Sequence, residues 1–349
     1  MVKIAPSAAL RALAAALGER ATLMKPLGPL TTYGVGGPTA LFVEIDSPAG
    51  LEAVRAALAG GTGGAPLFVI GRGSNLLVAD GGFDGIVIRL GAGFAGLDVR
   101  AAGSGADDAP PVVRAGAALA LPKLARGVAD AGWSGLAWAV GVPGSVGGAV
   151  RMNAGGHGSD MASCLVRYRW VDLLGPDGGT DEVATLAYGY RSSSLQASQL
   201  VVAADLRVAP GSTEAEQAEV ASIVQWRREH QPGGSNAGSV FTNPPGDSAG
   251  RLIDEAGLKG FGIGTAHVSE KHANFIQAER GGRADDVRAV MEHVRGVVAD
   301  RCGVTLRTEV RLLGFGGGET GGVSDHEPSS ADASDASDTS DVRRSGGAR

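Results

Sequence analysis

Three glycine-rich segments offer main-chain N–H groups that could meet a ligand's negative charge. They are Thr32-Tyr33-Gly34-Val35-Gly36-Gly37, Gly71-Arg72-Gly73-Ser74-Asn75-Leu76-Leu77, and Gly141-Val142-Pro143-Gly144-Ser145-Val146-Gly147-Gly148, which runs on to Asn153-Ala154-Gly155-Gly156. Glycine at such points permits positive φ and lets the backbone approach an anion closely. Ser74 and Asn75 can add side-chain donors, and Arg72 a charge. None of the segments matches the dinucleotide fingerprint G-x-G-x-x-G with a following acidic residue, and none carries the Lys-Ser/Thr of a P-loop. With 57 glycines in the chain, the alternative is three tight turns in a glycine-biased protein. The residues alone therefore point to a phosphate-bearing cofactor or substrate without saying which.

The segments need elements to hold them. Leu41 to Ile45 reads as a strand, and Ser47-Pro48 as a cap with proline in the first helical turn, predicting a helix to about Leu58. Leu67 to Ile70 is a short apolar strand emptying into the second loop, and Ile86 to Leu90 another strand. Further on, the pattern predicts a helix over Leu121–Ala131, strands over Val166–Leu173 and Val201–Val208, and a helix opened by a Thr213/Glu216 capping box that reaches Trp226 or Arg227. Asp285–Ala299 is the plainest helix, with Val287, Val290, Met291, Val294, Val297 and Val298 on one face that should pack on a sheet. Thr308–Leu313 reads as a final strand. Alternating strands and short helices argue for α/β or α+β construction. From residue 315 on, Gly runs and a Ser-Asp-Ala repeat offer no apolar face to bury, predicting a disordered acidic tail over 315–349.

A formal net charge of −6 provides no global field for nucleic acid. Cys164 and Cys302 form neither a disulfide framework nor a metal-ligand spacing, so reduced thiols and no metal are expected. Met1–Leu10 lacks the apolar core of a secretory leader, and no run of about 18 apolar residues occurs. A cytoplasmic protein without membrane insertion is the simplest expectation.

Taken in order, Leu30–Gly37, Val69–Val78, Gly141–Gly158, Tyr188-Gly189-Tyr190-Arg191-Ser192-Ser193, Asn236–Pro244, Val268–Ile276 and Gly303–Arg311 resemble the signature blocks of the UDP-N-acetylenolpyruvoylglucosamine reductases. The resemblance spans roughly residues 25–314. It implies an α+β protein with a non-Rossmann, two-subdomain FAD-binding fold, shared with vanillyl-alcohol-oxidase-like flavoproteins, and a third α+β substrate domain. The implied bounds are 1–86 plus 307–314, 87–210 and 211–306. The short interval between Ser193 and Ser239 resembles the compact subtype.

The implied reaction is reduction of an enolpyruvyl ether on UDP-N-acetylglucosamine, with NADPH as donor and noncovalent FAD as carrier. The implied FAD contacts are Tyr33, Gly34, Val35, Gly36 and Gly37; Gly71, Arg72, Gly73, Ser74, Asn75 and Leu76; and Gly141, Pro143, Gly144, Ser145, Gly147, Gly148, Asn153 and Gly155. By the same resemblance Ser239 donates the proton, Arg191 pairs with the substrate carboxylate, and Glu309 assists as an acid or through a relay. Asn243 resembles a sugar-nucleotide contact, Lys271 and His272 would serve the diphosphate or merely line their loop, and Arg228 is the arginine to which diphosphate pairing would fall. The chain departs from many relatives at Arg227–Pro232, where a lysine is common, at Gln277-Ala278, and at Thr242. His157 is no sign of a covalent flavin. Two rival readings remain open: another flavin oxidoreductase of the same superfamily, and a flavin- or nucleotide-binding module without turnover.

Overall fold

The computed structural model describes residues 4–102 and 111–316. The first sheet has the order Ala21–Pro26, Pro38–Ile45, Phe83–Leu90, Leu67–Val69, with one antiparallel pairing followed by parallel ones. Its central strand is apolar on both faces, as a strand covered from two sides must be. Leu41, Val43 and Ile45 face helices α1 (Ala8–Leu17) and α2 (Pro48–Leu58), while Phe42 points into a smaller core with Leu27, Ile70, Val78 and Leu313. The predicted cap of α2 is present, with Ser47 Oγ accepting the Gly50 N–H at 3.1 Å.

The final predicted strand divides between two partners. Thr308 bridges Phe241, whereas Arg311–Leu313 pairs in parallel with Leu76–Val78. Glu309 therefore lies where the chain crosses from one pairing to the other.

A second sheet is antiparallel throughout, in the order Gly178–Glu182, Leu165–Asp172, Gln199–Arg207, Val112–Gly116, Leu97–Ala102. Helix α3 (Leu121–Asp130), the 3₁₀ turn Ala137–Gly141, α4 (Val146–Met152) and the short α5 (Met161–Cys164) build a core on it with Val113, Leu124, Trp138, Val150 and Leu206. Asp205 is buried on its central strand. It accepts from Arg114 at 2.6 and 3.0 Å and from Arg167 at 2.5 Å.

Helix α6 (Thr213–His230) packs through Val220 and Ile223 into this second core, against α3 and the 3₁₀ turn. Its cap falls one residue earlier than the expected capping box. Ser212 Oγ accepts the Ala215 N–H at 3.1 Å, and the Glu216 carboxylate reaches back beside Gly211, ahead of the helix, without a hydrogen bond to Thr213 among the described residues. The helix also runs past Arg227, because its last turn is tied by Arg227 Nε to Gln231 Oε1 at 2.9 Å and by Trp226 stacking on His230.

The third core joins α7 (Ala249–Glu255), α8 (Ala284–Cys302) and the small sheet Gly262–Ile263, Ala266–Val268, Ile276–Ala278. Val287, Val290, Met291, Val294 and Val298 of α8 face that sheet, and Tyr33, Val35 and Leu77 enter the same core from the first loops. The residue preceding α8, Arg283, cannot cap it. Asp80 does so instead, with Oδ1 accepting from Ala284 N–H at 2.9 Å and Oδ2 from Asp285 N–H at 3.2 Å. Phe315 packs on this core and under Arg288; the tail expected to be disordered lies, from residue 317, outside the described residues. Cys164 and Cys302 are free thiols, and no helix among the described residues is long and apolar enough to cross a membrane.

Candidate active site

The three glycine segments converge. Thr32 N–H donates to the Gly73 carbonyl at 3.1 Å, joining the first loop to the second. The second meets the third so closely that a Cβ on Gly71 would lie 2.5 Å from Ser145 Oγ, and one on Gly144 3.5 Å from Ser74 Oγ. No side chain fits at Gly71 without displacing Ser145, which caps α4 by accepting the Gly148 N–H at 3.4 Å.

The loops differ in what they can offer a ligand. Among the described residues, the N–H groups of Gly71, Arg72, Gly73 and Ser74 have no protein acceptor, nor do those of Val35 and Gly36. The first turn of α4 is already engaged: Val146 N–H donates to Leu119 O, Gly147 N–H to Ala117 O, and Gly148 N–H to Ser145 Oγ. Unengaged donors are thus most numerous in the second loop, with Val35 and Gly36 of the first and Gly144 and Ser145 of the third also without a protein acceptor among the described residues, a set that could meet a pyrophosphate. Tyr33 shows 0% exposure and its hydroxyl has no partner, so what the first loop presents is main chain. Leu76 is buried at the start of its strand, and Pro143 is exposed at the edge of the third loop.

Asn153 ends α4 in the left-handed region and holds the neighbouring chain: its Oδ1 accepts from Ala162 N–H at 2.9 Å and its Nδ2 donates to Gly189 O at 3.3 Å. Gly189 and Ser192 bridge each other, closing a tight turn over Tyr190 and Arg191. Arg191 takes φ 52°, a conformation that costs a non-glycine residue about 1–2 kcal/mol.

That strained turn aims the guanidinium across the site. Arg191 Nε donates to Glu309 Oε1 at 2.8 Å, Nη1 to Asn153 O and Nη2 to Gly155 O, both at 3.2 Å. Burial works against the Arg191 charge, but Glu309, Tyr190 and Asp160 together outweigh it and raise the Arg191 pKa. The Glu309 side chain is only 9% exposed. The second loop reaches the same carboxylate's backbone, since Asn75 Nδ2 donates to Glu309 O at 3.1 Å.

Ser239 follows Gly238, at φ 77°, and precedes Val240, whose carbonyl accepts the Glu309 N–H at 2.8 Å. Val240 N–H donates in turn to Asn274 O at 2.9 Å. The half-buried Ser239 hydroxyl has no hydrogen-bond partner among the described residues, which leaves it available to a ligand. Two further arginines lie on neighbouring segments, Arg151 in α4 and Arg311 two residues after Glu309. Arg311 Nη2 rests on Met152 Sδ at 3.7 Å, and Arg151 Nη1 donates to Gln196 O at 3.0 Å. Neither forms an ion pair among the described residues; burial lowers the pKa of both, and Arg151, also facing Arg311, falls to about 10.

Of the implied substrate contacts, Arg228 and Lys271 are brought together, the Lys271 ammonium donating to the Arg228 carbonyl. Arg228 is exposed and forms no ion pair among the described residues. His272 accepts the Asn274 N–H on Nδ1 at 3.3 Å, and burial lowers its pKa. Asn243 is exposed, and its Oδ1 accepts the Ala249 N–H at the start of α7 at 3.0 Å.

Tyr190 was not among the candidates read from sequence. Its hydroxyl donates to Glu309 Oε2 at 3.2 Å and its ring lies 5.3 Å from the Arg191 guanidinium carbon. Burial and Glu309 push its pKa up to about 12. Its place beside Arg191 in a tight turn was the available signal.

The chain matches two family models: "UDP-N-acetylenolpyruvoylglucosamine reductase, C-terminal domain" over residues 230–313 and "FAD binding domain" over residues 42–180. It is 42% identical to the UDP-N-acetylenolpyruvoylglucosamine reductase of Heliobacterium modesticaldum over 310 residues, covering 85% of this chain and 92% of that one. Against the enzyme of that name from Acidiphilium cryptum it is 40% identical over 293 residues, covering 83% and 90%. The crystal structure of UDP-N-acetylenolpyruvylglucosamine reductase from Thermus caldophilus superposes with a TM-score of 0.69 at 34% identity, covering 84% of this chain and 97% of that one.

Proposed function

The chain belongs to the UDP-N-acetylenolpyruvoylglucosamine reductase family, and from that premise we infer that Ser239, Arg191 and Glu309 carry its FAD-dependent reduction of UDP-N-acetylenolpyruvoylglucosamine to UDP-N-acetylmuramate. The two regions built on the larger sheets hold FAD, and the third covers the substrate. NADPH is the electron donor, and the setting is the cytoplasm, where both nucleotides are soluble. When bound, FAD supplies the two-electron chemistry that links NADPH to the enolpyruvyl double bond.

The free N–H groups of Gly71–Ser74, with Val35 and Gly36, would hold the FAD pyrophosphate. Arg191 carries the reading furthest. Three of its N–H groups are engaged by Glu309, Asn153 and Gly155, which fixes the fork while leaving its remaining donors for a substrate carboxylate. Because that orientation exists before substrate arrives, little reorganisation accompanies the growth of negative charge next to the carboxylate. Arg151 and Arg311 add a cationic surplus that favours the same anion. The Ser239 hydroxyl donates its proton to the carbon adjoining the carboxylate. A serine is a weak acid, so placement by Gly238 and Val240 matters more than acidity.

The test is anaerobic. NADPH should bleach the flavin of the purified protein, and UDP-N-acetylenolpyruvoylglucosamine should restore the oxidised spectrum within seconds. Reoxidation no faster than in buffer would remove the assignment.

A further inference from the structure

The residues that follow Ser239 are held from two sides. On one, Val240 O accepts the Glu309 N–H at 2.8 Å, Phe241 bridges Thr308, and Thr242 N–H donates to Arg307 O at 2.9 Å. That antiparallel pattern turns the N–H and carbonyl of Phe241 away from the 307–309 segment. Asn274 meets them on the far side with its side chain. Its Oδ1 accepts the Phe241 N–H at 2.9 Å, and its Nδ2 donates to Phe241 O at 2.8 Å. Its main-chain carbonyl also accepts the Val240 N–H at 2.9 Å. One residue therefore makes three bonds to the two positions after Ser239.

Asn274 is a costly choice for an interior. It is 4% exposed, between the equally buried Ala273 and Phe275, and a buried amide is tolerated only when bonded. An apolar side chain there would leave both main-chain groups of Phe241 without partners. A carboxamide accepts and donates, as a neighbouring strand would; a carboxylate could only accept. The loop around Asn274 is itself closed, with Ser269 N–H donating to Phe275 O at 2.8 Å and Phe275 N–H to His272 O at 3.0 Å.

Ser239 is tied less firmly at its other end. Asn236 Oδ1 accepts the Gly238 N–H at 3.0 Å, but Asn236 is only half-buried and its Nδ2 stays within the same loop, on Gly233 O and Gly234 O. Asn274 instead anchors the serine segment to a loop 33 residues further on. The Ser239 hydroxyl has no partner among the described residues, so its place is set through the backbone on either side. A group that must deliver one proton to one carbon depends on such anchoring, since a misplacement of about 1 Å can cost about 10²-fold in rate.

We propose that Asn274 is a positioning residue for Ser239, holding Val240 and Phe241 so that the serine hydroxyl meets the carbon it protonates. This rests on the reductase reading, in which Ser239 is the proton donor.

The test is a double-mutant cycle on the flavin-loaded full chain, followed by anaerobic stopped-flow absorbance. Asn274→Ala should leave reduction by NADPH within about twofold of wild type and slow reoxidation by UDP-N-acetylenolpyruvoylglucosamine about 10–10²-fold. In the Ser239→Ala background the same change should cost less than about twofold, because the group it positions is gone. An equal loss in both backgrounds would make Asn274 merely structural and overturn the proposal, as would normal reoxidation in the single mutant. If the alanine protein does not fold, Asn274→Asp carries the same cycle, since it keeps the acceptor for the Phe241 N–H and loses the donor to the Phe241 carbonyl. Hydrogen exchange reads the clasp without turnover: the Val240 and Phe241 amides should exchange at least about tenfold faster in the mutant, and unchanged exchange would remove the proposal. A wild-type flavin that the enolpyruvyl substrate fails to reoxidise would sink the reductase reading and the serine's role with it; faster exchange in the mutant would then show that the reading failed and the clasp did not.

Discussion

Glu309 receives the Arg191 Nε–H at 2.8 Å on one carboxylate oxygen and the Tyr190 hydroxyl at 3.2 Å on the other, so adjacent residues of one turn grip both of its oxygens. The two grips are unequal. Replacing Glu309 with Gln removes the partner of a charged fork and should lower kcat by about 10²–10³, the range for loss of one preorganised charge-stabilising group. Tyr190→Phe removes one neutral donor and should cost about three- to tenfold. Because the Tyr190 pKa is pushed up to about 12, its phenol stays protonated, and the mutant should keep the wild-type pH profile below pH 10. Steady-state kinetics across pH checks both.

Ser239→Ala should separate the half-reactions. NADPH should still reduce the flavin at nearly the wild-type rate, while reoxidation by the enolpyruvyl substrate falls about 10²–10⁴-fold, as expected when a positioned proton donor is lost. Stopped-flow absorbance resolves the two phases. Normal reoxidation would take the proton donor's role from Ser239.

Gly71→Ala tests the cofactor cradle. The added methyl would lie 2.5 Å from Ser145 Oγ and disturb both the second loop and the cap of α4. The protein should purify with less than about half the flavin of wild type, since overpacking a tight contact typically costs about 1–3 kcal/mol. The ratio of flavin to protein absorbance reports it directly. Full occupancy would mean that the second loop does not hold the cofactor.

Asp205 gives the fold a specific acid sensitivity. Burial alone would raise its pKa, but hydrogen bonds from Arg114 and Arg167 dominate and lower it. A carboxyl whose folded pKa is depressed stabilises the fold above its unfolded value of about 3.9, and that contribution is lost as pH falls through the folded value. Asp205→Asn should cost about 2 kcal/mol near neutral pH, less than a fully buried pair because both arginines are partly exposed. Urea unfolding of the mutant should show a shallower decline below about pH 4 than wild type.

What the sequence disclosed was local. Ser47 and Pro48 announce α2 because a cap and a proline act within one turn, and the valines of α8 announce a buried face because they recur at helical spacing. The glycine loops were visible for the same reason, but their unequal roles were not. That Val146 and Gly147 already donate to Leu119 and Ala117 depends on a packing that no motif encodes. Asp80 capping α8 is a contact across 204 residues, and nothing near Arg283 signals that its helix borrows a carboxylate from elsewhere. Choosing Thr213 over Ser212 as the α6 cap failed because both residues can cap, and Glu216 found a place against Gly211. The triad of catalytic candidates came from family resemblance, whereas Tyr190 needed the turn to be seen.

Asn75 holds Glu309 from 234 residues earlier in the chain, and the strand after Glu309 pairs beside Leu76. On a ribosome adding about 5–20 residues per second, Asn75 emerges on the order of ten to fifty seconds before its partner. The second glycine loop must wait through that interval with one flank open. A flavin captured early would meet a site without its carboxylate, so a newly made molecule becomes competent only when this late strand docks.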